Sequence, residues 1–116
     1  MSGFAVTTNS CEDGVSKISV SGYLDAHTAP ELEKAFQTLV NDGEYKILVD
    51  FEGLDYISSA GLGVFMGFIE EVRSNSGDIK MCSMATKIYK VFDLLGFPSL
   101  YEIFDEEVQA LEKFRE

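Results

Sequence analysis

The sequence predicts an α/β fold, a mixed sheet of four to five strands packed with about four helices. The first observation is that segments with strand-like apolar patterns alternate with segments whose apolar residues recur every three or four positions. The second is their order, β-β-α-β-α-β-α-(β)-α, because each βαβ crossing makes its two strands parallel. The third is size, since 116 residues that are 46% hydrophobic suit one domain over 1–116 with a buried core.

The two opening strands are predicted to form an antiparallel hairpin at one edge of the sheet. Residues 4–11 alternate weakly and are rich in threonine, which is typical of an edge strand. Asp13-Gly14 is a hairpin turn signal, and residues 15–24 alternate again. Three apolar residues of this second strand share one face: Ile18, Val20 and Leu24. Gly22 lies on the same face, where it predicts a bulge or a close backbone approach.

The next segment carries the signals of a helix start and a helix end. Thr28 can act as the N-cap, Pro30 fits the first turn, and Glu31 stands three residues after the cap, as in a capping box. Asn41-Asp42-Gly43 ends the helix. Its inward stripe is expected to comprise Leu32, Ala35, Phe36, Leu39 and Val40.

A central strand is predicted at residues 45–51. Its run Ile47-Leu48-Val49 is apolar on both faces, which indicates a strand that is covered on both sides. Residues 52–57 are expected to form a short loop before a second helix at 59–73. The inward residues expected in that helix are Leu62, Phe65, Met66, Ile69 and Val72.

The last third of the chain predicts a strand, a helix, a short edge strand and a final helix. The strand covers 79–83, the third helix covers 86–95, and the edge strand covers 100–104. Asp105 can cap the final helix. The apolar residues expected to face inward in the two helices are Ile88, Val91, Phe92, Leu95, Val108, Leu111 and Phe114.

The charge balance disfavours nucleic acid and anionic membranes as partners. Lys and Arg number 9 and Asp and Glu number 20, giving a net charge of −11, and the cations are scattered singly. A partner with a basic surface is therefore expected. No apolar run approaches the roughly 20 residues of a membrane span and no signal-peptide pattern is present, which predicts a cytoplasmic protein. Cys11 and Cys82 fit no metal spacing and are predicted to be reduced and mostly buried.

Ser58 and Ser59 stand where the second helix begins. In open α/β sheets function concentrates in the loops after the carboxyl ends of parallel strands, here residues 24–28, 51–59 and 83–86. Either hydroxyl can simply cap the helix. Alternatively, a serine here accepts a phosphate, which the unpaired N–H groups and the positive end of the helix dipole would stabilise.

Three glycines follow in the same helix, at Gly61, Gly63 and Gly67. Each costs roughly 1 kcal/mol relative to alanine, so a reason for them is expected. One explanation is close packing on neighbouring elements, which we favour for Gly67. The other is access, because small residues beside Ser59 leave its hydroxyl reachable by a large partner.

Over nearly its whole length the chain resembles the STAS domain, and within that family the anti-sigma-factor antagonists. The residues that carry the resemblance are Gly22-Tyr23-Leu24-Asp25-Ala26, Leu48-Val49-Asp50-Phe51 leading to Asp55-Tyr56-Ile57, Ser58-Ser59-Ala60-Gly61-Leu62-Gly63, and Val91-Phe92-Asp93-Leu94-Leu95-Gly96-Phe97. The resemblance implies the STAS fold.

It also implies a phosphorylation site. When the family pattern Asp-Ser-Ser/Thr/Ala-Gly-Leu-Gly is aligned on the glycines, Ser59 takes the acceptor position and Ser58 replaces the family's Asp, which leaves Ser58 as the alternative acceptor. Asp25 matches an acidic position of the family near this site; a solvated loop residue or a helix cap is its other interpretation. The implied partner-binding residues are Asp25, Ser58, Ser59, Ala60, Gly61 and Leu62.

The resemblance implies partner switching in transcription regulation. The unphosphorylated antagonist binds an anti-sigma factor, which is a serine kinase of the histidine-kinase-like ATPase type, and the sigma factor is freed. Phosphorylation of Ser59 releases the antagonist, and a serine phosphatase resets it. The alternative is a STAS scaffold, or an accessory subunit of a signalling or transport complex, that is not phosphorylated.

The sequence disfavours an enzyme. A serine hydrolase would need His27 as the base beside Ser59, and Ile57 stands where the G-x-S-x-G elbow requires its first glycine. A dinucleotide site is disfavoured because the three glycines lie inside a helix rather than in a turn after a strand. We therefore expect no catalytic residue, no metal and no cofactor.

Overall fold

The computed structural model describes residues 3–116, which form a five-stranded mixed sheet with four α-helices. The predicted fold class is confirmed. The strands are β1 (Ala5–Ser10), β2 (Ser16–Leu24), β3 (Lys46–Ile57), β4 (Asp78–Cys82) and β5 (Ile103–Phe104). The helices are α1 (Ala29–Asn41), α2 (Ser59–Ser74), α3 (Thr86–Leu94) and α4 (Glu107–Phe114).

The strands lie side by side in chain order. β1 is antiparallel to β2, and β2, β3, β4 and β5 run parallel to one another. The predicted hairpin is confirmed, with a single 3-10 turn at Glu12–Gly14 as its connection. Asp13 (φ 62°) and Gly14 (φ 75°) take the left-handed backbone that Asp and Gly adopt more readily than other residues.

Three helices cover the first face of the sheet. α1, α2 and α3 bury a cluster of aromatic rings there, in which Phe51 of β3 lies 5.7 Å from Phe65 and 5.3 Å from Phe92 between ring centroids. Phe36 of α1 reaches the same cluster, edge-on to Phe65 at 5.8 Å. Such rings contribute more buried apolar area than any other side chains, so this face holds most of the core.

The second face is covered only in part. Ala110 and Phe114 of α4 pack there against Val15, Leu48 and Cys82. Because Leu48 is buried on this side while Ile47 and Val49 are buried on the other, the prediction that this run is covered on both sides is confirmed. The remainder of the face is polar and lines an open groove of about 350 Å³ with Thr7, Ser19, Ser21, Asp50 and Glu52 among its walls.

Both cysteines are free thiols. Cys82 is fully buried beneath α4, and burial raises the pKa of its thiol to about 11. Cys11 is half-buried at the edge of the same cluster, and burial raises its pKa as well. A thiol whose pKa is raised holds less of the reactive thiolate, so neither residue has the character of a reactive cysteine.

The structure corrects the boundary of β3. Residues 52–57, predicted as a loop, continue the strand and pair with the second half of β2, from Ser21 opposite Gly53 to Leu24 opposite Ile57. Two register shifts in the β2–β3 ladder accommodate this pairing, one between Ser19 and Ser21 and one between Gly22 and Tyr23, and at each of them β3 contributes one residue more than β2. The irregularity expected near Gly22 is therefore confirmed. Gly22 has φ 85°, and a Cβ built on it would lie 1.2 Å from the carbonyl oxygen of Gly3.

The predicted N-cap of α1 is confirmed in position but not in its side-chain hydrogen bond, and the predicted cap of α4 is wrong. Thr28 occupies the N-cap position of α1 but makes no capping hydrogen bond, because its hydroxyl donates to the Tyr23 carbonyl at 2.9 Å instead. Asp105 does not cap α4. Its N-cap is Glu106, whose backbone N–H donates to Oε1 of Gln109 at 3.0 Å.

Three apolar residues predicted to face inward are exposed: Met66, Leu95 and Val108. In α2 the buried face includes Val64, which precedes Phe65, instead of the predicted Met66, which follows Phe65. Met66 therefore points toward solvent. Leu95 follows the last residue of α3, where the chain turns away. α4 packs through Ala110 and Phe114, four residues apart, and that line leaves Val108 in solvent.

A buried lysine joins β4 to the segment before β5. Lys80 is 7% exposed, and its ammonium donates to Oδ2 of Asp78 at 3.0 Å and to a carboxylate oxygen of Glu102. Asp78 also accepts a hydrogen bond from Nε of Arg73 at 2.9 Å. Burial alone would raise the pKa of Asp78, but the hydrogen bonds from Lys80 and Arg73 outweigh it and lower that pKa.

The stabilisation that Asp78 provides should therefore depend on pH. Because its folded pKa is lower than its ordinary value of 3.8, the stabilisation is complete above that value and is lost as the pH falls through the folded pKa. At neutral pH, Asp78→Asn is expected to lower the free energy of unfolding by about 1 kcal/mol. Urea unfolding should show that the difference in free energy of unfolding between the wild type and Asp78→Asn becomes smaller at acidic pH. A difference that does not change with pH would contradict the role given to the Asp78 carboxylate, and so would an equal effect of Asp42→Asn at an exposed position.

Candidate functional site

The carboxyl ends of β2 and β3 lie together at one edge of the sheet. Leu24 pairs with Ile57 at the last step of the ladder, and the backbone N–H of Ser58 donates to the Leu24 carbonyl at 2.9 Å. α2 begins at the next residue, Ser59. The loop after β2 and the start of α2, which are far apart in the sequence, are thus adjacent in the fold, as expected for a site at this edge.

Asp25 orders the loop after β2. Its Oδ1 accepts hydrogen bonds from the backbone N–H groups of His27 at 2.9 Å and of Thr28 at 3.2 Å. The N–H of Asp25 in turn donates to the Thr28 hydroxyl at 2.9 Å. The carboxylate is half-buried and shapes the loop from within, which matches its alternative interpretation as a local cap. His27 is exposed beside it.

Ser58 is the N-cap residue of α2, but its side chain does not cap the helix. Its carbonyl accepts the first helical hydrogen bond, from the N–H of Leu62 at 3.1 Å. Its Oγ is buried and has no hydrogen-bond partner among residues 3–116. A kinase could not reach this oxygen without a change in conformation.

Removal of the Ser58 hydroxyl should leave the protein as stable or more so. A buried hydroxyl without a partner costs free energy, so Ser58→Ala is expected to raise the free energy of unfolding by up to about 1 kcal/mol. Thr28→Ala is the matched control, because the Thr28 hydroxyl is engaged, and it should lower stability by about 1 kcal/mol. Urea unfolding measures both. If Ser58→Ala costs as much as Thr28→Ala, the Ser58 hydroxyl caps α2 in solution.

Ser59 is the first residue of α2 and is exposed, as is Ala60 after it. Gly61 and Leu62 are buried on the packed face of the helix. The structure therefore places only Ser59 and Ala60, of the residues predicted in this helix turn, where a partner can touch their side chains directly. Gly61 and Leu62 instead position the helix against the core.

The three glycines of α2 have different surroundings. A Cβ on Gly61 would lie 2.7 Å from Cγ of Leu24, so close packing of α2 on the end of β2 explains this glycine. A Cβ on Gly63 or Gly67 would meet nothing within 4 Å. The packing explanation is thus wrong for Gly67, and the exposed side of α2 beyond Ser59 is a smooth surface without projecting side chains at these two positions.

Sequence patterns did not reveal an aromatic pair at the same edge. Tyr23 and Tyr56 are 55% and 47% exposed, and their ring centroids are 5.8 Å apart. They are partners in the β2–β3 ladder. The sequence offered one indication of this pair, a tyrosine one residue before the end of each strand. The contact between the two rings, however, depends on two register shifts that the apolar periodicity does not indicate.

The part of the chain that the structure describes, residues 3–116, lacks two other functional features. No helix there is long and apolar enough to cross a membrane. No group of three or more His, Cys, Asp or Glu side chains in this part of the chain could hold a metal ion.

The sequence and the fold both have known relatives. A family model described as STAS domain matches residues 8–110. The anti-sigma-B factor antagonist of Staphylococcus aureus is 29% identical over 92 residues, which cover 79% of this chain and 85% of that protein. The crystal structure of an anti-sigma factor antagonist from Mycobacterium paratuberculosis superposes with a TM-score of 0.89 at 25% identity, over 97% of this chain and 95% of the other.

A further similarity in fold is to the phosphorylated form of the Bacillus cell fate determinant SpoIIAA. The TM-score is 0.74 at 22% identity, and the superposition covers 94% of this chain and 98% of that one. The parallel strands, the helix order and the serine at the start of α2 are thus accompanied by a family match over most of the chain. This chain belongs to the STAS domain family.

Proposed function

We propose that this protein is an anti-sigma factor antagonist that acts by partner switching and that Ser59 is its phosphorylation site. The observation that carries the proposal is the exposure of Ser59 at the first turn of a 16-residue helix. On one side of it the Ser58 hydroxyl is buried, and on the other Ala60 has no hydroxyl. The names of the S. aureus and M. paratuberculosis relatives support the same function.

The proposed partner is an anti-sigma factor of the histidine-kinase-like ATPase type. While Ser59 is unmodified, the antagonist occupies this partner and the sigma factor is released. The partner then transfers the terminal phosphoryl group of ATP. The Ser59 Oγ–P bond forms, the P–O bond to ADP breaks, and the hydroxyl proton leaves to a base of the kinase.

Phosphorylation would release the antagonist from the kinase because of the negative charge that it adds. The new group carries about −1.5 to −2 charges at pH 7. In the complex it would face the nucleotide phosphates of the kinase, and it would have to be desolvated there. In the free protein the same group is well accommodated, because it lies at the N-terminus of α2 among unpaired N–H groups. A serine phosphatase restores the hydroxyl.

In this scheme the chain is a substrate and ligand of its kinase and is not itself an enzyme. Asp25 holds the loop beside Ser59 in shape, and Ser59 with Ala60 forms the contact that the kinase reads. The proposal places the protein in the cytoplasm, where ATP, the kinase and the sigma factor are found.

The test is phosphorylation by purified candidate kinases. Each histidine-kinase-like ATPase of the source genome is incubated with the protein and Mg-ATP, and the intact mass is measured. We expect at least one of them to add a single phosphate, and tandem mass spectrometry should map it to Ser59. A phosphate on Ser58 would overturn the choice of site. No phosphate from any of these ATPases would favour the unphosphorylated scaffold or accessory subunit instead.

A further inference from the structure

We propose that the outer edge of β1 is a self-association surface, on which a second copy of this chain pairs its own β1 in the antiparallel direction. The two five-stranded sheets would then join into one continuous sheet. This inference does not depend on the proposed function, because the outer edge of β1 and the helix start at Ser59 belong to different parts of the fold.

β1 has a strand neighbour on one side, and its other side is open. It lies at the end of the sheet and pairs with β2. Cys11 continues this ladder, and its N–H donates to the Val15 carbonyl at 2.7 Å. Because hydrogen-bonded pairs alternate in an antiparallel ladder, Val6, Thr8 and Ser10 direct their N–H and C=O groups away from β2. In the part of the chain that the structure describes, no other element forms a hydrogen bond with these groups.

This edge lacks the features that keep edge strands from pairing. Native sheets protect their edges with charged side chains, proline, bulges or very short strands. Residues 3–11 contain no charged residue and no proline, and the β1–β2 register has no shift. The strand at the opposite edge, β5, has only two residues and lies between Glu102 and Asp105. β1 is therefore the edge of the sheet that can accept another strand.

The distribution of charge favours a second copy of the chain as the occupant. The net charge is −11, so most surfaces of two copies would repel each other. β1 is uncharged, and the groove of about 240 Å³ between β1 and α1 carries one acidic and one basic side chain, Glu31 and Lys34. Two copies can thus meet at this edge with little like-charge repulsion. All the exposed side chains of β1 are short, which allows two backbones to approach closely.

The outward groups of β1 fit a two-fold arrangement centred on Thr8. In this register Thr8 pairs with Thr8 of the other copy, and Val6 of each copy pairs with Ser10 of the other. All three residues have outward N–H and C=O groups, so each pair can exchange two hydrogen bonds. A two-fold contact uses the same surface on both copies, so the assembly closes as a dimer and does not extend into a fibre.

Such a dimer would leave both functional edges open. Because the pairing is antiparallel, the strands of one copy run opposite to the equivalent strands of the other. The carboxyl ends of β2 and β3, beside Ser59, therefore lie at opposite ends of the joined sheet. Each copy could bind a partner there without displacing the other copy.

Sedimentation equilibrium of the full chain over a range of concentrations tests the proposal. The wild type should approach twice its monomer mass of 12.8 kDa, with a Kd in the micromolar range because the interface is small. Thr8→Pro removes an outward N–H group without breaking the β1–β2 ladder, and it should remain a monomer. A wild-type mass that stays at that of the monomer at about 1 mM protein would overturn the proposal.

Charged variants test the two-fold register. Thr8→Lys and Thr8→Glu each place like charges opposite one another, and each should raise the dimer Kd by about fivefold. An equal mixture of the two should associate more strongly than either alone, because Lys then faces Glu. Val108→Lys is the control, since it adds the same charge on the exposed side of α4 and should associate like the wild type.

Thermal unfolding identifies the variants that keep the fold, and the charged variants decide the outcome if Thr8→Pro does not fold. If the folded Thr8 variants associate as strongly as the wild type, the dimer does not form through β1 and the proposal is wrong. A mixture of Thr8→Lys and Thr8→Glu that is no heavier than its components would overturn the pairing centred on Thr8. Neither result would affect phosphorylation of Ser59, which is measured separately.

Discussion

Replacement of Ser59 by alanine is expected to abolish phosphate uptake completely while the kinase still binds. Ser59 is the exposed hydroxyl at the start of α2, and the neighbouring Ser58 Oγ is buried, so no other acceptor is available at this turn. The alanine variant should therefore hold its partner in the presence of ATP. Intact mass after incubation with the cognate kinase measures the first effect, and co-elution on size-exclusion chromatography measures the second.

Ser59→Asp places a negative charge at the acceptor position and so imitates the phosphorylated form. It should weaken kinase binding by about tenfold, although a carboxylate carries less charge than a phosphate. Ser58→Ala is the control and should be phosphorylated like the wild type. Equal affinity of the wild-type protein and Ser59→Asp would contradict the electrostatic mechanism. Phosphate uptake by Ser59→Ala would move the acceptor elsewhere in the chain.

Alanine substitutions at the glycines of α2 should have effects of opposite sign. Gly61→Ala is expected to lower the free energy of unfolding by about 1–3 kcal/mol, because its methyl group would press on Leu24 in the core. Gly63→Ala should raise it by about 1 kcal/mol, since its methyl group meets open space and alanine is the better helix former. Urea unfolding of the two variants separates the roles of two glycines that lie two residues apart.

Gly67→Ala is the matched control for Gly63→Ala, with the same open surroundings and the same expected gain. If Gly61→Ala were as stable as these two, Leu24 would have room to move and close packing would not explain Gly61. If instead the two exposed variants were stable but bound the kinase poorly, the bare surface beyond Ser59 would be part of the contact.

Most of the fold could be predicted because its signals are local. The order of elements follows from apolar spacing, and the fully buried run of Ile47 to Val49 could be recognised as a central strand without any knowledge of its neighbours. The extension of β3 to Ile57 could not be predicted. Residues 52–57 carry turn-like Gly53 and polar side chains, and they are a strand only because β2 offers a partner with a shifted register.

For the candidate site too, local features could be predicted from the sequence and features that depend on packing could not. Its position at the start of α2 follows from the sequence, since a helix start after a parallel strand marks the functional edge. The different exposure of Ser58 and Ser59 does not, because both are serines at a helix start and only the packed structure distinguishes the buried oxygen from the exposed one. The contact of Tyr23 with Tyr56 likewise arises from strand pairing between distant segments.

The junction between β3 and α2 has a consequence for how a signal would end. Ser58 is the only residue between the two elements, and its backbone is fastened to Leu24. A phosphate added at Ser59 is therefore expected to change the charge at this edge of the sheet without changing the path of the backbone. The lifetime of each form would then depend on the enzymes that add and remove the phosphate.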